Sequence, residues 1–110
     1  LELGIVKKIE DRLIKDFLDV LILIELAKGR PLVGCDIIAL VSNRFGILLS
    51  AGTVYSVLYS MEREGIIASG SEGKRKVYLL TDKGKDSIKT ISSARQEIMT
   101  LVTKLFGAHV

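Results

Sequence analysis

The sequence has few of the residues that usually carry catalytic or metal-binding chemistry. Its 110 residues include one cysteine, one proline, one histidine and no tryptophan. A single cysteine excludes a disulfide framework within the chain and a cysteine-rich zinc site. The one histidine, His109, lies in the last residues, where we expect a disordered tail, so a hydrolytic triad lacks its base. We therefore expect a binding protein rather than an enzyme, with no metal and no cofactor.

Long apolar runs are also missing. The longest, residues 17–27, contains Asp19 and Glu25 and is shorter than the ~20 residues that a membrane-spanning helix needs. Residues 1–4 are not followed by the apolar region of a signal peptide. We therefore expect a cytoplasmic protein with no membrane partner.

Aliphatic residues, by contrast, are abundant. Hydrophobic residues make up 48% of the chain and aromatic residues only 5%, which suffices for one aliphatic core. Since domains commonly have ~100–150 residues, residues 1–110 are interpreted as a single domain. Its net charge is +3, and the positive excess lies in the second half, where Lys74, Arg75 and Lys76 are consecutive. Such a run is typical either of a solvated turn or of a surface that binds phosphate.

The first half of the chain has the 3.6-residue periodicity of helices. One long first helix is predicted over residues 5–29, ended by Gly29 and Pro31. A helix-turn-helix is predicted over residues 32–65, with Ser50 as the N-cap of its second helix. Residues 46–49 between its helices are expected to lengthen the turn, and also to be able to add a short third strand to the hairpin described next.

The second half changes to a period near two and then returns to a helix. Residues 66–80 are predicted to form an antiparallel hairpin, with the three cations at its tip and on the return strand. A last helix over residues 82–106 follows, with Thr81 as its cap. Its positions spaced by three and four residues form a heptad-like seam, typical of helices that pack on a partner; they are Ile88, Ile91, Arg95, Ile98, Val102 and Leu105.

This order of elements indicates the fold. Three helices followed by a hairpin with a basic tip form a winged helix-turn-helix, in which the third helix enters the DNA major groove and the wing contacts the backbone. The predicted class is therefore mainly α with a small β-hairpin, flanked by N- and C-terminal dimerisation helices.

Several segments resemble the PadR family of transcriptional regulators. Residues 50–55 (SAGTVY) are similar to the family pattern SPGTLY, and residues 62–67 (EREGII) to the EEGL that follows it. Residues 73–84 (GKRKVYLLTDKG) resemble GRxRKYYxLTxxG, and residues 34–37 (GCDI) resemble GYEI more weakly. Ala51 stands where the family usually has proline, and Cys35 where it usually has an aromatic residue. We expect Cys35 to be buried as a small apolar residue rather than to act as a redox sensor.

The resemblance implies a homodimeric regulator, a repressor in most of the family, of the branch with one C-terminal helix. Its dimer interface would use the first and last helices: Phe17 and Leu21 together with the seam residues Ile88, Ile91, Arg95, Ile98, Val102 and Leu105. A two-fold dimer would bind a pseudo-palindromic operator in double-stranded DNA. Relatives that respond to small molecules also imply a possible hydrophobic effector, lined here by Phe17, Leu21, Ile91, Arg95 and Ile98; the lack of tryptophan weakens that prediction.

Candidate DNA-binding residues lie on the third helix, on the wing and at the end of the second helix. Small polar groups on the outer side of a recognition helix donate to phosphates or read base edges, and the resemblance implies that the Tyr55 hydroxyl contacts the backbone. The predicted set is Asn43, Arg44, Ser50, Thr53, Tyr55, Ser56, Tyr59, Arg63, Lys74, Arg75 and Lys76. Simple alternatives exist: solvation for the serine and threonine side chains, and packing on the second helix for Tyr55.

Two other functions fit the same elements. A winged helix can bind a protein partner instead of DNA, in which case the wing cations would have no effect on affinity. A MarR-like ligand-sensing regulator also has a wing, although such chains usually have more helix around it. Arg63 is the one cation of the third helix, so we expect recognition to depend on the DNA backbone and shape more than on guanine contacts.

Overall fold

The computed structural model describes residues 2–108; His109, with its predicted tail, lies outside them. The chain is mainly helical, with one two-stranded antiparallel hairpin. The elements are α1 (Glu2–Asp16), α2 (Leu18–Leu26), α3 (Gly34–Phe45), α4 (Ala51–Glu64), β1 (Ile67–Glu72), β2 (Arg75–Leu80) and α5 (Asp82–Leu105). This architecture confirms the predicted mainly α class with a small β-hairpin; dimerisation by the terminal helices stays a prediction. We call the β1–β2 hairpin the wing.

The predicted single helix over residues 5–29 is two helices with a kink between them. Phe17 leaves the helical region, at φ −112° and ψ 22°, although the N–H of Phe17 still donates to Leu13 and its carbonyl still accepts from Leu21. Kinks usually arise at proline or glycine, and neither is present here, so the sequence carried no signal for the break. α2 also ends before Gly29, because the N–H groups of Lys28 and Gly29 close tighter three-residue turns onto Glu25 and Leu26.

Local chemistry fixes the ends of the helix-turn-helix. Ser50 caps α4 by accepting a hydrogen bond from the Thr53 N–H at 3.1 Å. Gly46 and Gly65 end α3 and α4 in the left-handed region, at φ 67° and 79°, which residues with a Cβ adopt at an energetic penalty. The caps therefore set both the turn before α4 and the entry into the wing.

A third strand segment joins the wing, but it comes from Leu32 rather than from residues 46–49. Leu32 and Tyr78 form an isolated antiparallel bridge with N–H to carbonyl distances of 3.2 and 2.8 Å. Ile47 and Leu49 are instead buried in the core, and the segment between α3 and α4 has no strand hydrogen bonds of its own. The expectation of a third strand from residues 46–49 was wrong: the side chains of Ile47 and Leu49 pack into the core, and the segment does not pair with the wing.

The core lies where α2, α3 and α4 meet the base of the wing. Its members are aliphatic except for Met61 and Tyr78: Leu18, Ile22, Leu23, Leu26, Leu32, Ile37, Val41, Ile47, Leu49, Val54, Leu58, Met61, Ile66, Ile67 and Tyr78. Cys35 is not among them; it is exposed, contrary to the expectation of burial. The next residues of α3 that face inward are Ile37 and Val41, which places Cys35 on the outer side of the helix.

The start of α5 is tied to the end of α4. The Thr81 hydroxyl accepts from the Gly84 N–H at 3.1 Å and donates to the Gly65 carbonyl at 2.6 Å. Lys83 donates to the Glu64 carbonyl at 2.7 Å, a favourable place for a cation because helix C-termini are negative. The LTxxG pattern thus joins the base of the wing to the end of α4.

α1 and the second half of α5 extend beyond the core. The Cα radius of gyration is 15.4 Å, compared with about 13 Å for a compact domain of this size. Large apolar side chains on these two segments are exposed, among them Leu3, Ile5, Leu101, Leu105 and Phe106. None of the helices within residues 2–108 has the length and apolarity needed to cross a membrane.

Candidate nucleic-acid interface

The outer face of α4 carries small or polar side chains. Val54, Leu58 and Met61 face the core, and the opposite side carries an exposed row consisting of Gly52, Ser56, Tyr59 and Arg63. Gly52 and Ser56 leave the backbone of the first half of the helix accessible, and the hydroxyls of Ser56 and Tyr59 and the guanidinium of Arg63 can donate to phosphates or base edges. We call these four residues the outer row. It includes three of the predicted DNA-binding residues, together with Gly52, which the sequence analysis did not select.

The two polar residues at the start of α4 bind each other. The hydroxyls of Ser50 and Thr53 lie 2.9 Å apart, in addition to the capping bond from the Thr53 N–H. Ser50 is exposed and Thr53 is half-buried. The cap therefore stabilises α4 even though Ala51 replaces the usual proline, and it leaves the Ser50 side chain at the exposed N-terminal end of the helix.

Tyr55 packs on α3. Its ring lies so close to Gly34 that a Cβ added there would be 2.5 Å from the Tyr55 hydroxyl oxygen. This is the packing alternative considered for this residue, and it places the half-buried ring between the two helices of the helix-turn-helix. Tyr59 lies beside it, with ring centroids 5.9 Å apart.

The three wing cations do not share one direction. Lys74 lies in the two-residue turn with Gly73, whose φ of 65° allows the tight reversal. Arg75 faces Glu72 across the hairpin, whereas Lys76 faces Ser71. Because successive strand residues point to opposite sides, Arg75 and Lys76 lie on opposite faces of the wing.

Lys76 is directed toward α4. Its Nζ lies 5.3 Å from the ring centroid of Tyr59 and 5.5 Å from that of Tyr78. Burial raises the pKa of Tyr78, an effect that the nearby Lys76 ammonium partly offsets. The hydroxyl of Tyr78 is buried and has no hydrogen-bond partner among the described residues.

The side of α4 away from the wing is bordered by acidic residues. Ser56 and Ser60 line an open cleft of about 270 Å³ together with Asp16 and Asp19 near the α1–α2 kink, and with Lys15 and Glu64. Three carboxylates against one ammonium make this cleft acidic, whereas the wing carries three cations.

The two predicted residues at the end of α3 are placed differently from the others. Arg44 donates to Glu25 of α2 at 2.8 Å, and Lys28 binds the same carboxylate oxygen at 2.8 Å. The hydrogen bond from Lys28, with that from Arg44, holds the pKa of Glu25 below its usual range, against the opposing effect of burial. Arg44 is thus engaged with α2 and not with the wing, while Asn43 is exposed.

The predicted dimer residues fall into two groups in the chain. Ile88 and Ile91 pack against the core from the first half of α5. Beyond them Arg95, Ile98 and Leu105 are exposed, and Val102 is half-buried. The seam therefore has one end against the domain core, and its other end is largely exposed within residues 2–108.

Phe17 and Leu21 line an apolar cleft of about 290 Å³, which Phe45 and Arg44 also border. The α5 residues predicted to line an effector site with them, Ile91, Arg95 and Ile98, do not border this cleft. Phe45 was not selected from the sequence, because its position at the end of a helix gave no periodic signal. The predicted effector site is therefore not assembled within one chain.

The comparisons with known proteins agree with this geometry. Residues 22–90 match the Transcriptional regulator PadR-like family. The chain belongs to this family. The match covers more than half of the chain, from α2 through the wing into α5, and so includes the complete helix-turn-helix. No curated protein is similar enough to match the chain.

Solved structures of transcriptional regulators, two of which are described as PadR family members, align along most of the chain. A regulator from Eggerthella lenta is 25% identical, with a TM-score of 0.76 and 96% of each chain covered. One from Clostridium difficile is 30% identical, with a TM-score of 0.71, covering 83% of this chain and 99% of that one. A transcriptional regulator from Thermoplasma acidophilum is 28% identical, with a TM-score of 0.74, covering 91% of this chain and all of that one. This PadR-like chain therefore spans essentially the full length of these relatives.

Proposed function

We propose that this PadR-like protein is a homodimeric, cytoplasmic regulator that binds double-stranded DNA and represses transcription by occupying promoter sites, without enzymatic activity. The outer row of α4 enters the major groove, and the wing contacts the backbone. The observation that carries the proposal is the outer row itself, an exposed and mostly polar helix face whose Tyr59 lies 5.3 Å from the ammonium of the wing residue Lys76. Phosphate contacts would supply most of the affinity.

The recognition expected from this surface is modest in base specificity. Arg63 is the one cation on α4, and Glu62 and Glu64 flank it. Ser56 and the cap residue Ser50 offer single hydroxyl contacts rather than bidentate ones. Sequence preference would therefore come largely from the shape and deformability of the DNA.

A dimer follows from the apolar surface that the single chain leaves uncovered. Ile98, Met99 and Leu105 on α5 are 46%, 53% and 77% exposed, and Leu13, Phe17 and Phe45, which line the apolar cleft, are exposed as well. Exposed apolar surface beyond scattered single residues marks interaction sites. A two-fold dimer would present two α4 helices about 34 Å apart, the spacing of successive major grooves on one side of DNA.

The experiment that tests DNA binding changes the outer row without touching the core. Ser56→Glu adds a carboxylate to the outer row, and Ser93→Glu adds one to an equally exposed position on α5. Binding to a fluorescent duplex is measured by anisotropy, with circular dichroism as the check of folding. We expect Ser56→Glu to lose at least tenfold in affinity, since like charges are brought together, and Ser93→Glu to bind as the parent does. Equal binding by both variants would contradict the proposal and favour a protein partner.

A further inference from the structure

One face of the wing is turned toward the recognition helix. Cross-strand partners lie on the same side of a hairpin, and the register pairs Ser69 with Tyr78 and Ser71 with Lys76. On this side the Ser69 hydroxyl donates to the Glu62 carboxylate of α4. Arg75, the other cation of β2, lies on the opposite side of the hairpin. Lys76 is thus the wing cation that faces α4.

The Lys76 ammonium bridges two aromatic rings from different elements. Tyr59 belongs to α4 and Tyr78 to β2, and both centroids lie within the ~6 Å at which a cation is attracted to the face of a ring. Tyr78 is fully buried, whereas Tyr59 is 46% exposed and braced by Tyr55. One ring is therefore fixed in the domain and the other lies on the surface that would meet DNA.

The Lys76 ammonium is thus engaged in a contact within the protein. A lysine that is held over two rings has fewer conformations and less hydration than one pointing into solvent. Lys74 in the turn and Arg75 on the opposite face have no such ring contact among the described residues. The three consecutive cations, equivalent in the sequence, are therefore not equivalent in the fold.

We propose that Lys76 is a positioning residue, which sets the distance and angle of the wing relative to α4 by bridging Tyr59 and Tyr78, and that Lys74 and Arg75 supply the phosphate contacts of the wing. This inference rests on the proposed function for its effect on DNA binding. The bridge itself is a property of the free protein and can be tested without DNA.

The salt dependence of DNA binding separates the two roles. Each phosphate contact contributes ~0.9 to the slope of log K against log salt concentration. Because the proposed dimer has two wings, we expect Lys74→Ala and Arg75→Ala each to lower the slope by about twice that amount. Lys76→Met, which keeps the length of the side chain but removes the charge, should leave the slope unchanged while weakening binding by about fivefold, the loss expected for a partly exposed cation–aromatic contact. A slope that falls equally in all three variants would overturn the proposal.

Two further variants test the bridge as a pair. Lys76→Arg should restore most of the affinity, because a guanidinium also stacks on aromatic faces. Tyr59→Leu should weaken binding at least as much as Lys76→Met does, because Tyr59 also belongs to the outer row, and the double variant should be no weaker than Tyr59→Leu alone, as in a coupled pair. Additive losses in the double variant would mean that the two side chains act separately.

A measurement on the free protein keeps the two proposals distinguishable. Aromatic rings shift the NMR signals of protons over their faces upfield, so the ε-methylene protons of Lys76 should resonate upfield of those of Lys74. The shift should become smaller in Tyr59→Leu, which removes one of the two rings and leaves that of Tyr78. If wild-type protein shows the shift but binds no DNA, the proposed function fails and the bridge stands. If the Lys76 and Lys74 signals coincide, the bridge is absent and the inference is wrong.

Discussion

The ring of Tyr55 in α4 covers Gly34 at the first residue of α3. A Cβ added to Gly34 would lie 2.5 Å from both the Tyr55 hydroxyl oxygen and the ring carbon that bears it, closer than atoms pack without a shift. The two residues belong to different family motifs, GCDI and SAGTVY, and the contact shows why both are present. The missing side chain of one residue makes room for the ring of the other, which sets how closely α3 and α4 approach.

The first prediction concerns this contact. Gly34→Ala should push the Tyr55 ring outward and lower the free energy of unfolding by about 1–3 kcal/mol, the usual effect of an overpacked contact. Gly52→Ala is the matched control, because its added Cβ would meet only the Ser50 hydroxyl at 3.9 Å. Urea unfolding followed by circular dichroism measures both. Equal stability of the two variants would show that the ring moves freely.

A second glycine limits the junction between the wing and α5. A Cβ on Gly84 would overlap the carbonyl oxygen of Ile66, a backbone atom that cannot rotate away. We expect Gly84→Ala to lower the free energy of unfolding by about 3 kcal/mol. Gly70→Ala, whose Cβ would touch Val77 at 4.0 Å, should have a much smaller effect. The melting temperatures of the two variants measure the difference, and a Gly84→Ala protein as stable as Gly70→Ala would contradict the prediction.

The ends of several elements could be predicted from the sequence, because the capping hydrogen bonds and backbone angles that fix them are local. The hydroxyls of Ser50 and Thr81 cap their helices by accepting hydrogen bonds from N–H groups three residues further along the chain. Gly46 and Gly65 adopt the positive φ angles that a helix end favours. The sequence motifs also indicated the family, and with it the winged-helix fold. For this part of the fold, residue type and spacing were sufficient.

The features that were not accessible depend on partners far apart in the chain. The bridge of Leu32 to Tyr78 and the pairing of Arg44 with Glu25 join elements that no periodicity connects. The same holds for Lys76, since a run of three cations does not reveal which of them meets an aromatic ring. The kink at Phe17 had no proline or glycine to mark it.

The pair of Arg44 and Glu25 predicts a dependence of stability on pH. The pKa of Glu25 is lowered in the folded protein by its bonds to Lys28 and Arg44, so its contribution is complete above the unfolded value near ~4.3 and is lost as the pH falls through the lowered folded pKa. Glu25→Gln should therefore unfold about 1 kcal/mol more easily at pH 7, and its stability should fall less steeply than that of the wild type on acidification. Urea titrations at a series of pH values measure this. Parallel pH curves for the two proteins would contradict it.

The proposed dimer predicts the effect of a charge on the exposed half of α5. Ile98→Glu would bury an unpaired carboxylate in the interface, which is strongly unfavourable, and should weaken the dimer by at least about a hundredfold. Ser92→Glu, also exposed on α5, should leave it intact. Sedimentation velocity over a range of concentrations distinguishes monomer from dimer. A monomeric wild-type protein, or an unaffected Ile98→Glu dimer, would contradict the assignment of this surface.

We expect this PadR-like chain to bind DNA through its wing and α4, and the salt dependence of its affinity for DNA tests this most directly. The affinity for duplex DNA is determined at several salt concentrations for the wild type and for Lys74→Ala/Arg75→Ala. Lys89→Ala, an exposed cation of α5, serves as the control for loss of charge. We predict steeply salt-dependent binding by the wild type and by the control, with a slope lower by ~3.6 in the double variant, since two phosphate contacts are lost from each of the two wings of the dimer. A folded wild-type protein that does not bind DNA at low salt, or a double variant with an unchanged slope, would contradict the account.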